Sequence, residues 1–508
     1  MNPFKRLVSQ TVIYGLPTLI GRLLNYFLVP LYTYNFSPSE YGTVNEMYAY
    51  TSFLLIVLTY GMETALFNFS RLHESSAGND AGKQRVYSTI LTSVTFTSCV
   101  FIIALIIFSQ PIANLIRYPD HPEYIIWFAF ILGMDAVSSI AFTKLREQNK
   151  AKTFTVFKTL NIVTNIAFNL FFIMYCKSKY EANPLSFMDG WGGMVYSHEI
   201  GIGYIFISNL IASAITLLVL LPLIFKGLVF TTLSFWKKNS GEVSLLRTIL
   251  IYALPLLIAG LAGMTNETMD RILLKYLLPE NIALSQVGIY GACYKISIIM
   301  TMFIMTFRYA AEPFFFARAK EQDAKKAYSQ VMNYFVIVCM LIFLGTMMNM
   351  SWIKYFVDKA YWEGLKVVPI LLLANFCLGV FFNLSLWYKL SNKTKHGAYL
   401  TMFGAIITLV GNFVFIPVYG YVASAWTTFI CYACIMVASY FIGNKFFPVN
   451  YDLKRFFGYI ALALLFYAAG TFMQMDSYVN DLVFKNFLLL VFGSIVLLFE
   501  KEKLLYSK

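Results

Sequence analysis

Charge is scarce in this chain. Only 13% of its 508 residues are Asp, Glu, Lys or Arg, against about a quarter in soluble domains. With 59% hydrophobic residues, that shortage excludes a soluble globular enzyme and points to a polytopic membrane protein. Histidine is scarcer still. His73, His121, His198 and His396 are scattered along the chain, which argues against a metal centre. The seven cysteines lie in or beside apolar runs. Cys431 and Cys434 form a C-x-x-C, but without His or acidic neighbours they read as packing residues. Enzyme signatures are missing: there is no P-loop, no H-E-x-x-H and no G-x-S-x-G. The one longer loop with acid–base residues, 177–200 with His198 and Glu199, is small for a membrane polymerase or ligase. We therefore expect no catalysis and no resident cofactor. Residues 1–10 also lack the apolar core of a cleavable signal, so the first apolar segment is expected to remain as a helix.

What the sequence does have is apolar runs. Fourteen are long enough to cross a bilayer, which takes about 20 residues: 12–34, 43–69, 86–109, 122–145, 154–176, 201–225, 247–276, 286–314, 328–350, 364–388, 397–417, 420–443, 455–474 and 482–500. The net charge of +13 would suggest nucleic acid in a soluble protein. Here the basic residues crowd alternate ends of the apolar runs, so they report orientation and no nucleic-acid partner is expected. One set of ends carries Arg71, Lys83, Lys144, Arg146, Arg318, Lys325, Lys326, Lys389 and Arg455, among others. The opposite ends carry few, such as Arg117, Lys177 and Lys354. The alternation predicts both termini in the cytoplasm.

The sequence also repeats. Tyr14-Gly15-Leu16-Pro17 answers Tyr252-Ala253-Leu254-Pro255, and Tyr41-Gly42 answers Val287-Gly288. Val86-Tyr87-Ser88 answers Ala327-Tyr328-Ser329. Asn149-Lys150-Ala151-Lys152 answers Asn392-Lys393-Thr394-Lys395. An even number of spans per copy makes these parallel repeats. The expected architecture is all-α: two six-helix lobes, 1–240 and 241–448, followed by two further helices in 449–508. Pro17 and Pro255, with Gly21, Gly260 and Gly263 nearby, allow spans one and seven to bend or to pack closely.

Several ionisable residues fall inside apolar runs, where charge is costly and marks a pathway or ligand site by default. Arg22 and Asn25 lie midway along span one. Glu46 and Glu63 lie in span two, Asp135 in span four, Glu267, Asp270 and Arg271 in span seven, and Lys295 and Arg308 in span eight. Glu267 with Arg271, and Arg308 with Glu312, have the i,i+4 spacing of simple helix ion pairs. Lys295 has no acid at that spacing. Equivalent positions do not match between repeats, since Arg22 corresponds to Gly260. A duplicated scaffold with unduplicated charges suits a cavity built around an asymmetric ligand.

Tyr14–Arg22 through Pro30-Leu31-Tyr32, Ser37-Pro38-Ser39-Glu40-Tyr41-Gly42 and Gly61-Met62-Glu63 resemble the opening of the bacterial Wzx-type polysaccharide flippases of the MOP superfamily. Leu145-Arg146-Glu147-Gln148-Asn149-Lys150 and Ala311-Glu312-Pro313-Phe314-Phe315 are similar to that family too. The resemblance covers nearly the whole chain. It implies a bacterial inner-membrane exporter with a two-lobe fold working by alternating access. Its substrate would be a lipid-linked oligosaccharide on undecaprenyl diphosphate, and its partners membrane lipids and the polysaccharide polymerase machinery. It also implies a cationic lumen, for which Arg22, Asn25, Arg271, Lys295 and Arg308 are the candidates. Glu63, Asp135 and Glu267 are candidates for coupling to a proton or sodium ion, with Glu46 and Asp270 as lesser ones. Two alternatives stay open: a cation-coupled multidrug exporter of the same fold, and a membrane polymerase or glycosyltransferase.

Overall fold

The computed structural model describes residues 21, 23–77, 80–190, 192–228, 245–319, 321–391, 393–473 and 475–506. Among the described residues there are helices and no strands. The long ones are α1 (Leu28–Asn35), α2 (Pro38–Thr59), α3 (Met62–Ala77), α4 (Asp80–Ile107), α5 (Pro122–Glu147), α6 (Ala151–Asn169) and α7 (Gly203–Gly227). They continue with α8 (Leu245–Leu277), α9 (Glu280–Arg318), α10 (Ala324–Met348), α11 (Val368–Leu384), α12 (Lys395–Tyr419), α13 (Tyr421–Phe446), α14 (Leu453–Phe472) and α15 (Tyr478–Tyr506). Thirteen candidate spans among the described residues are long and apolar enough to cross a membrane. The expected first span, 12–34, lies largely outside the described residues, and α1 covers its end.

Expected span two is one crossing but two helices. The backbone breaks at Tyr60 (φ 29°) and Gly61 (φ 76°), a left-handed conformation that glycine adopts without strain. A β-carbon on Gly61 would also lie 2.9 Å from the Ala253 carbonyl oxygen. By contrast α8 runs unbroken through Pro255. The expected loop 177–200 is not a plain loop. It folds as short helices at Lys177–Ala182, Pro184–Asp189 and Gly192–Val195. An aromatic cluster of Phe172, Tyr196 and Tyr204 fixes it, with Tyr196 stacked on Tyr204 at 5.0 Å.

The chain divides into two compact units. The N-terminal unit comprises the described residues up to Leu31 and Thr43–Thr268. The C-terminal unit comprises Tyr32–Gly42 and the described residues from Met269 onward. The boundary therefore falls inside three continuous helices, α1, α2 and α8. In the N-terminal unit, Leu58, Met62, Ile90, Leu132, Ile140 and Leu220 form a buried core. In the C-terminal unit, α13 packs against both α11 and α12, and α14 and α15 pack on α10.

Lipid is as apolar as leucine, so interhelical packing and hydrogen bonds hold such helices together. Asn161 donates to Thr216 Oγ1 at 2.9 Å, and Asn375 donates to Ser297 Oγ at 3.2 Å. Close approach is sharpest at the repeat-equivalent glycines. A β-carbon on Gly42 would collide with the Leu284 carbonyl, and one on Gly288 with the Pro38 carbonyl. The start of α2 and the second and third turns of α9 thus cross backbone to backbone inside the C-terminal unit.

Candidate functional site

The charged residues of span seven gather where α8 meets α9. Asp270 and Arg271 are both buried, an arrangement that is stable only if their polar atoms find partners. They do. The Tyr290 hydroxyl donates to Asp270 Oδ2 at 2.6 Å, and the Arg271 amide donates to Asp270 Oδ1 at 2.8 Å. Arg271 Nη1 lies 3.7 Å from the same carboxylate, and its guanidinium sits 4.7 Å above the Tyr294 ring. Lys275, one helical turn further, is buried as well. Arg271 therefore faces its sequence neighbour Asp270, while Glu267 is exposed on its helix. Lys295 is half-buried on α9.

Arg308 forms the i,i+4 pair its spacing suggests. Its Nε lies 3.0 Å from Glu312 Oε1, and its guanidinium lies 4.8 Å over the Phe382 ring. The same carboxylate also accepts from Lys389 at 2.6 Å. The N-terminal unit has a matching link: Arg146 Nη2 lies 3.0 Å from Glu63 Oε2, which also accepts from Thr143 at 3.3 Å. Arg146 and Lys389 occupy equivalent places in the repeat, three residues before Asn149 and Asn392. Each unit thus ties the end of its fourth span to its second by an ion pair. Reading residues one helix at a time missed both links, because the partners lie about 80 residues apart. The repeat register, which sets Arg146 opposite Lys389, was the available signal.

Glu46 is fully buried and accepts from Tyr50 at 2.8 Å and Tyr118 at 2.5 Å, which ties α2 to the turn before α5. That is a structural carboxylate with its oxygens engaged. Asp135 is half-buried on α5, with Ser213 on α7 and Lys158 on α6 as its polar neighbours. Asn25 is exposed on its helix, and Arg22 lies outside the described residues. Among the described residues no three His, Cys, Asp or Glu side chains gather as a metal site. Cys431 Sγ donates to the Gly404 carbonyl at 3.4 Å, a packing contact.

The fold is that of a polytopic helical membrane protein and is similar to solved flippase and multidrug-transporter structures. The lipid II flippase MurJ, in an inward closed conformation, superposes with a TM-score of 0.71 at 13% identity, over 96% of this chain and 99% of that one. An inward-facing MATE-family multidrug resistance transporter of the MOP superfamily gives 0.61 at 12% identity, over 86% and 97%. The MATE multidrug transporter DinF-BH in complex with R6G gives 0.60 at 16% identity, over 90% and 97%. No curated protein sequence matches the chain. The chain belongs to the Polysaccharide biosynthesis protein family, which matches residues 7–317.

Proposed function

We propose that this protein is a flippase. It would carry a lipid-linked oligosaccharide, held by its diphosphate, from the cytoplasmic to the outer leaflet of a bacterial inner membrane. The observation that supports this best is the coincidence of a polysaccharide-biosynthesis family match with a fold that aligns to a lipid II flippase over nearly its full length. The chemistry is compatible. A lipid diphosphate is an anionic head on an apolar tail, and Arg and Lys recognise phosphate with paired donors and point charge. Lys295 and Arg22 are the residues we assign to the diphosphate, with Asn25, Arg271 and Arg308 as supporting members. Arg271 and Arg308 already have anionic neighbours, so their contribution is to keep the surroundings basic.

The working cycle in this reading is rocking of two lobes, 1–240 and 241–448, with 449–508 as an accessory pair. Both termini lie in the cytoplasm, and the product passes to polymerase machinery outside. Asp135 is the first candidate for an ion-coupling acid, since Glu63 is engaged with Arg146 and Glu267 is exposed. The likeness to multidrug transporters favours one second reading, export of organic cations driven by such an acid.

Complementation of a flippase-deficient strain, read as surface polysaccharide, separates the two. Losing one charge-assisted hydrogen bond in a low-dielectric site is worth about 1.5–3 kcal/mol, or about ten- to a hundred-fold in binding. Arg22→Ala with Lys295→Ala should abolish complementation, and Arg22→Lys should retain part of it. Full activity of the double variant rejects the anionic handle. Failure of the wild type to complement, together with organic-cation export that Asp135→Asn abolishes, selects the multidrug reading.

A further inference from the structure

The ends of α3, α4 and α5 enclose a cavity of about 590 Å³ in the N-terminal unit. Arg71, Lys83, Lys144 and Arg146 line it, and among the described residues the only acid in the lining is Glu147. Among the described residues, Glu147 lies 3.8 Å from Lys83, and Glu63 lies 3.0 Å from Arg146. Lys144, half-buried, holds its ammonium 3.6 Å from the centroid of the Tyr87 ring. Tyr87 is 2% exposed and lines the same cavity. Its hydroxyl and Arg146 Nε are buried without a hydrogen-bond partner. Buried donors normally find partners, and like charges gathered side by side repel one another.

A second large polar cleft, among the described residues, is different. It has about 940 Å³ at the ends of α10, α14 and α15, and there Lys325, Lys326 and Arg455 are balanced by Asp323, Asp452 and Glu500. Arg455 is held by Asp452 at 3.1 Å and by Glu500 at 3.3 Å. Nothing in that cleft calls for an anion.

We propose that the cavity between α3, α4 and α5 is a binding site for the phosphate or diphosphate headgroup of a membrane lipid. None of its residues is among the cations assigned to the transported diphosphate. Basic helix ends lie at the level of lipid headgroups. A phosphate there has the oxygens to accept from Lys83, Lys144, Arg146 and the Tyr87 hydroxyl together. Two lipids offer that chemistry, an acidic phospholipid and an isoprenoid diphosphate. Only the second leans on the flippase reading.

The test uses the purified full-length protein in nanodiscs of neutral phosphatidylcholine. Phosphatidylglycerol, undecaprenyl diphosphate or inorganic pyrophosphate is titrated in, and occupancy is read by native mass spectrometry. Lys83→Gln with Lys144→Gln should weaken the bound probe about tenfold. Tyr87→Phe, which removes one hydroxyl and no packing, should weaken it about threefold, and Lys144→Arg should restore binding. Lys325→Gln with Lys326→Gln should leave it unchanged. The probe that responds identifies the source: phosphatidylglycerol a phospholipid, undecaprenyl diphosphate the cargo carrier, pyrophosphate alone a free anion. Equal affinity of the wild type, the double variant and Tyr87→Phe for all three probes overturns the site. So does an equal loss in the Lys325/Lys326 control. Loss of transport through Arg22 and Lys295 with this binding intact would leave the site standing, and the reverse would leave the flippase reading standing.

Discussion

Tyr87 and Tyr328 open equivalent helices in the two repeats and are almost equally buried, at 2% and 3% exposure, yet their surroundings have diverged. In the C-terminal unit the Tyr328 hydroxyl donates to the Phe315 carbonyl at 2.9 Å. The place that corresponds to Lys144 is taken by Trp387, which stacks on Phe446 at 5.7 Å and donates to Ser439 at 3.2 Å. The space beside Tyr328 and Trp387 shrinks to about 10 Å³, barely enough for one water. In the N-terminal unit the Tyr87 hydroxyl has no partner, a lysine replaces the tryptophan, and the cavity is about 590 Å³. Matching sequence positions thus sit in a sealed aromatic corner in one unit and beside an open basic cavity in the other. At the one matched position, the Trp387 indole fills volume where the Lys144 ammonium demands solvent or an anion.

The comparison can be broken most severely at the sealed corner. Trp387→Ala should cost about 3–5 kcal/mol, the usual range for a buried tryptophan, and lower the thermal unfolding midpoint in detergent by several degrees. Lys144→Ala should cost far less, and equal losses would mean the two corners are packed alike. Next come the points where the copies agree. Gly42→Ala and Gly288→Ala each force a β-carbon onto a carbonyl of the crossing helix, so each should cost about 1–3 kcal/mol. A clear inequality between them in the same unfolding assay would show that the crossing is not equivalent from both sides.

The tyrosines give the sharpest contrast. Tyr328→Phe loses a made hydrogen bond and should cost about 1 kcal/mol, whereas Tyr87→Phe removes an unpaired hydroxyl and should be neutral or stabilising. Unfolding midpoints of the two variants, measured without added anionic lipid, decide this, and a cost at Tyr87 matching that at Tyr328 would contradict it. The smallest effect is expected at the ion pairs. Glu63 is 40% exposed and Glu312 36%, so solvent screens both, and each removal should cost under about 1 kcal/mol. Glu312→Gln should cost more than Glu63→Gln, since Glu312 serves both Arg308 and Lys389. The same assay, repeated at high salt, should narrow the gap.

Much of the architecture was legible in the sequence, and its errors have a physical pattern. Expected spans 328–350 and 420–443 lie close to α10 and α13. Span 43–69 was drawn too short because hydropathy reports the lipid-facing core. The helix itself extends back to Pro38, since backbone hydrogen bonding continues through polar turns until a breaker intervenes. The break at Tyr60-Gly61 was not foreseen, because one glycine in an apolar run does not reveal its φ. At the candidate site the i,i+4 pair Arg308–Glu312 was readable from spacing alone. The partners of Glu46, Glu63 and Asp270 were not. Tyr118, Arg146 and Tyr290 come from other helices, and a single sequence holds no measure of which helix packs beside which.

The division follows the range of the forces involved. The sequence by itself determined a polytopic helical chain, its repeat and its crowded basic ends, because hydropathy and loop charge act locally and every apolar run satisfies its backbone within its own helix. Tertiary structure alone decided which buried charges are already answered, where Gly42 meets Gly288, and which of two equivalent tyrosines keeps an unmatched hydroxyl. Those outcomes depend on distances of a few ångströms between residues tens to hundreds of positions apart, set only when the helices pack.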